Sequence, residues 1–140
     1  MSNDPKLELL AGVPLFEQLD KSELQRVGAL ADIIDLPAGR TLMREGETGA
    51  EAMVIVSGTA SIDKAGEVIA QRGPGAIIGE MALISHQPRS ATVKLETDAQ
   101  LLVIGRREFD ALMHEMPSVR KNVMESLAMR LMAAEVGPSH

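Results

Sequence analysis

The chain has 140 residues, 45% hydrophobic and 24% charged, a balance that suits one globular domain and excludes wholesale disorder. A formal net charge of -6, with no local cluster of Lys and Arg to offset it, argues against nucleic acid as a direct partner. Without cysteine the chain has no disulfide, thiolate metal site or cysteine nucleophile, which fits a reducing cytoplasm; no apolar run approaches the roughly 20 residues needed for direct membrane insertion.

Residues 1–31 read as N-terminal helices. Leu7, Leu10 and the stretch 15–19 supply apolar contacts. Asp20 with Glu23 three residues later forms a capping-box pattern, after which Leu24, Val27 and Ala31 recur at helical spacing. From Asp32 the pattern changes to short β-prone runs at 33–36, 41–44, 53–56, 59–63, 68–71, 91–95 and 101–104. Turn signals separate them, among them Pro37-Ala38-Gly39, Gly46, Gly49, Gly58, Gly66 and Gly73-Pro74-Gly75, at roughly the 8–12 residue spacing of an all-β sandwich or barrel. The fold class is therefore mainly β with flanking helices: an antiparallel, jelly-roll-like β-roll over residues 32–104.

Helical character returns over 105–135. Phe109, Leu112 and Met113 share one face, Pro117 interrupts, and from about Ser118 the residues Val119, Val123, Leu127 and Leu131 recur every four positions beside Met124, Ala128 and Met132. Such a stripe needs a cover, and a homodimer through this helix is one way to provide it. His86, His114 and His140 are scattered without ligand spacing, so no metal site is expected.

The connection Gly73 to Val93 carries the chemistry. Gly79 permits close backbone approach, residues 80–84 can make one short helical turn, and Pro88 fixes the chain just before Arg89. Amides at the start of that turn, beside the Arg89 guanidinium, make an anion site, with two charge-assisted hydrogen bonds available to phosphate oxygens. Glu80 can accept from a hydroxyl. A carboxylate for a sugar hydroxyl and an arginine for a phosphate, on one short connection, suit a compact sugar phosphate.

The run Ile78-Gly79-Glu80-Met81-Ala82-Leu83-Ile84, then Pro88-Arg89-Ser90-Ala91-Thr92-Val93, resembles the phosphate-binding cassette of cyclic-nucleotide-binding domains. The likeness extends over residues 15–134 and includes the turns at 36–39 and 45–47. Catabolite activators, kinase A regulatory subunits and cyclic-nucleotide-gated channels share this order of helices, β-roll and helices. The resemblance implies a single domain over 1–140, with its cassette at 77–93. It implies that Glu80 takes the ribose 2'-hydroxyl and Arg89 the cyclic phosphate, with Gly79, Met81, Ala82, Ser90 and Ala91 as the remaining cassette contacts.

The ligand it implies is cyclic AMP (cAMP), with cyclic GMP (cGMP) the second choice, because relatives that favour cGMP often carry Thr at the position of Ser90. Channel-type domains lay an arginine of the last helix against the base, and Arg130 falls at the matching position. The Thr-Ser pair with which catabolite activators touch the base is missing, Ala133 and Ala134 standing nearby instead. No helix-turn-helix is expected after the last helix. The implied function is a non-catalytic cytoplasmic sensor whose last helix closes over the bound nucleotide, read by an unknown effector protein. The alternative on the same fold is a ligand-independent interaction module that docks through residues 119–132. An enzyme acting on a cyclic phosphate would need a metal or general base that the cassette lacks.

Overall fold

The computed structural model describes residues 5–136. The chain opens with α1 (Pro5–Ala11), a 3-10 turn (Pro14–Phe16) and α2 (Lys21–Leu30). The capping box forms as expected: Asp20 Oδ1 accepts from the Glu23 amide at 2.8 Å, and Glu23 Oε1 accepts from the Asp20 amide at 3.0 Å. Two amides that the helix itself cannot satisfy thereby find acceptors.

The strands that follow are β1 (Ala31–Leu36), β2 (Thr41–Met43), β3 (Glu51–Ser57), β4 (Ala60–Lys64), β5 (Glu67–Arg72), β6 (Ile77–Ile78), β7 (Thr92–Leu95) and β8 (Ala99–Gly105). They build two four-stranded antiparallel sheets, ordered β1-β8-β3-β6 and β2-β7-β4-β5. The first sheet is covered on both faces, which explains why residues 52–55 of β3 are all buried. Alternation sorts its side chains between two cores. Ala52, Val54, Leu102 and Ile104 face the helices, whereas Met53, Ile55, Ala99 and Leu101 face the second sheet.

Strand β6 was not among the expected runs. Its two residues pair with β3, Ile77 opposite Val54 and Ile78 opposite Met53, so the first part of the cassette is planted on the central sheet. In the second sheet β4 and β5 are joined by Ala65 and Gly66, with φ of 54° and 86°. A two-residue loop with both φ positive is a type I' turn, the one that matches the twist of its strands.

Helices α4 (Arg106–Glu115) and α5 (Pro117–Val136) complete the fold. Pro117 stands at the first position of α5, where a missing amide hydrogen costs nothing. The apolar stripe of α5 finds its cover within the chain: Val119, Val123 and Leu127 are buried with Leu15, Phe16, Phe109 and Leu112. Asn122 Nδ2 also donates to the Leu15 carbonyl at 3.1 Å. The side chains of Leu131 and Met132 lie outside the described residues. Helices α2 and α4 are joined by a two-pronged ion pair, Arg26 Nε and Nη2 each donating to an oxygen of Glu115 at 2.9 Å. That hydrogen bonding holds the Glu115 carboxyl below the usual carboxylate range. Among the described residues no helix is long and apolar enough to cross a membrane.

Candidate functional site

Strand β6 delivers the chain to Gly79, whose φ of 83° lies in the left-handed region. A side chain is excluded there twice over, by backbone conformation and because a Cβ would strike Met43 Cε and Arg89 Nη1. Gly79 then caps the short helix α3 (Glu80–Ser85), which buries Ala82 and Leu83. The helical turn expected over 80–84 is therefore present. It ends at His86, a non-glycine residue with φ of 58°.

Arg89 is only 9% exposed, and its backbone is locked to the β2–β3 connection in both directions. Its amide donates to the Glu47 carbonyl at 2.7 Å, and its carbonyl accepts from the Gly46 amide at 2.9 Å. The guanidinium is oriented as well: Nη1 donates to the Gly79 carbonyl at 2.9 Å and Nη2 to the Glu51 carbonyl at 2.8 Å. A guanidinium carries five N–H donors, so carbonyl contacts through two of them fix the fork and leave donors for an anion. Burial pushes the guanidinium pKa down from its usual value, opposed by the nearby carboxylates of Glu51, Glu47 and Glu80.

Glu80 is fully buried. Among the described residues, Glu80 and Arg89 are the buried charged side chains. Both lie on one cleft of about 80 Å³. Gly79, Ala82, Ser90 and Ala91 line it too, with Met43, Ile62, Ile78 and Val93 as apolar wall and Arg72 beside them. Six of the eight anticipated binding residues are thus brought together. The other two, Met81 and Arg130, have side chains outside the described residues.

Three residues that build this site were not anticipated. Glu51 contributes its carbonyl, which leaves no trace in side-chain chemistry. Gly49 has the sequence signal of a turn and no more, yet a Cβ there would come within 2.5 Å of Ala82 Cβ and 3.1 Å of the Arg89 guanidinium. Arg106, the first residue of α4, donates through Nη2 to the Gly49 carbonyl at 2.7 Å and lies 3.2 Å from His86 Nδ1. It ties the cassette to the start of the C-terminal helices.

The protein-family model described as the cyclic nucleotide-binding domain matches residues 33–116. A cyclic nucleotide-gated potassium channel of Mesorhizobium japonicum is 37% identical over 122 residues, covering 84% of this chain and 34% of that protein. The cyclic AMP receptor protein of Thermus thermophilus is 28% identical over 132 residues, covering 91% of this chain and 61% of that protein. Among solved structures, the catabolite activator protein of Thermus thermophilus superposes with a TM-score of 0.78 at 29% identity, over 88% of this chain and 60% of that one. The chain thus spans about a third of the channel relative and three fifths of the receptor protein.

Proposed function

The chain belongs to the cyclic nucleotide-binding domain family, and from that premise we propose that it is a non-catalytic cytoplasmic sensor of cAMP, with cGMP the second choice. One observation carries the reading: two opposite charges, Glu80 and Arg89, are buried on a single small cleft. Buried charge is a poor source of stability, because desolvation takes back much of what pairing gives. A ligand with one anionic group and one hydroxyl gives both charges a use.

In this reading the remaining Arg89 donors meet the cyclic phosphate, and because the guanidinium is already held by two carbonyls, little side-chain freedom is lost on binding. Glu80 accepts from the ribose 2'-hydroxyl. Gly79 and Ala82 let the ring approach the start of α3, while Ser90 and Ala91 close the phosphate side. The cleft, at about 80 Å³, is too small to enclose a whole nucleotide. The base therefore extends toward α5, where the resemblance puts Arg130. Ligand shifts the position of α5 only so far as it binds one position better than the other, and that difference is the signal an effector protein reads. A homodimer through α5 would rest on the exposed Met124 and Met129, since Val119, Val123 and Leu127 are occupied within the chain. Among the described residues the cleft offers no second carboxylate or histidine to act as general base, so hydrolysis is not proposed. The name of the Thermus thermophilus relative, a cyclic AMP receptor protein, supports the choice of ligand.

The test is a cycle of cAMP and 2'-deoxy-cAMP against the parent chain and Glu80→Gln. Loss of the 2'-hydroxyl should cost the parent about 1–3 kcal/mol and the variant little more than it has already lost. An equal loss in both chains would remove Glu80 from the ribose.

A further inference from the structure

The cleft around Glu80 and Arg89, at about 80 Å³, lies well below the ~300–1,000 Å³ that encloses a whole small-molecule ligand. A second, open cavity of about 510 Å³ runs between α5, the 3-10 turn and the end of β5, lined by Leu15, Ile77, Asn122, Ser126 and Met129 among others. Arg72, the last residue of β5, lines both. It stands at the border a purine must cross if phosphate and sugar occupy the inner cleft. Its chemistry is out of keeping with the rest of the inner wall, which beyond the two buried charges is apolar or small.

Resting on the cyclic-nucleotide reading, we propose that Arg72 is the base-positioning residue on the β-roll side, its guanidinium plane stacking on the purine as the base leaves the cleft for the α5 groove. The geometry favours a face contact. Arg72 Nη1 donates to the Gln71 carbonyl of its own strand at 3.0 Å, which anchors one end of the planar group. The strand is an edge strand paired only with β4, Ala60 opposite Arg72, and the half-buried side chain borders both cavities. A planar, weakly hydrated cation stacks on any aromatic face, and a purine offers a larger face than a pyrimidine. Arg72 therefore contributes purine preference without choosing between adenine and guanine. That choice falls to other residues.

The test measures binding of cAMP, cGMP and cyclic UMP, by competition against a fluorescent cAMP analogue, to the parent, Arg72→Leu, Arg72→Lys and, as the phosphate control, Arg89→Ala. Thermal melts confirm that each variant is folded. Arg72→Leu should weaken both purine ligands about tenfold and cyclic UMP clearly less. Arg72→Lys should not restore affinity, because lysine keeps the charge and loses the plane. Full rescue by lysine, or equal loss for all three ligands, would mean a simple charge effect on the phosphate and would overturn the proposal. So would a loss confined to cGMP, which would mean an edge contact. If the parent binds, Arg89→Ala does not and Arg72→Leu matches the parent, the stacking fails while the sensor reading stands. A parent chain that binds none of the three ligands removes both.

Discussion

Replacing Arg89 with alanine separates the structural role of this side chain from the ligand-binding role proposed for it. The first is structural: the Gly79 and Glu51 carbonyls each lose a charged donor. Hydrogen bonds from charged groups contribute about 1.5–3 kcal/mol each, but alanine also relieves the burial of a cation, the same burial that depresses its pKa. The net loss of stability should be about 1–3 kcal/mol, a fall of roughly 3–10 °C in Tm for a domain of this size. The second role is ligand binding. Truncating one partner of a buried charge pair costs about 2–5 kcal/mol, a weakening of roughly 30- to 5,000-fold. Calorimetric titration with cAMP at fixed ionic strength, paired with melts of the ligand-free chain, reads both quantities. Arg89→Lys should fall between parent and alanine, keeping charge but losing the fork. A folded Arg89→Ala chain that binds cAMP within twofold of the parent would refute the phosphate assignment and leave Arg89 a purely structural residue.

Gly49→Ala should act on the same guanidinium from behind, since its Cβ would meet Ala82 and Arg89; cAMP affinity should drop about tenfold and stability by about 1–3 kcal/mol, read by titration and melting. Ala65→Asn should stabilise the fold by about 0.5–1 kcal/mol in urea unfolding, because Ala65 holds a φ of 54° in a type I' turn that asparagine tolerates better. The Arg26–Glu115 pair should show in the pH dependence of stability. The folded carboxyl of Glu115 is depressed, so its contribution is present above the unfolded pKa of about 4.3 and is lost as pH falls through the lower folded value. Parent and Glu115→Gln melts should differ at pH 6 and converge on acidification. A gap that persists unchanged at low pH would assign the effect to packing.

Much of this architecture is legible in the sequence for identifiable reasons. The β runs show because glycine and proline punctuate them, and the Asp20–Glu23 cap shows because its two side chains are three residues apart. The cassette shows because Gly79, Glu80, Arg89 and Ser90 sit on one connection. Strand β6 does not show, since two isoleucines carry no periodicity and acquire strand character only by pairing with Val54 and Met53. The burial of Glu80 and Arg89 is equally hidden: charged residues in a connection read as solvated until distant backbone encloses them. The Arg89 partners illustrate the point, for the Glu51 carbonyl lies 38 residues away and any residue type would supply it. Arg106 and Gly49 are set by the same long-range geometry. The apolar stripe of α5 shows in the four-residue spacing, but spacing does not distinguish a cover within the chain from a second copy; Leu15, Phe16 and the α4 face decide it for Val119, Val123 and Leu127.

The most direct measurement is a calorimetric titration of the purified chain with cAMP and, under identical conditions, with cGMP. Saturation at one cAMP per chain, with cGMP about tenfold weaker because the Ser90 hydroxyl serves either ligand and gives only a modest preference of about 1.4 kcal/mol, is the predicted result. No binding heat with either nucleotide at millimolar concentration, confirmed by an unshifted melting temperature, would contradict the assignment of the Glu80–Arg89 cleft as a cyclic-nucleotide site.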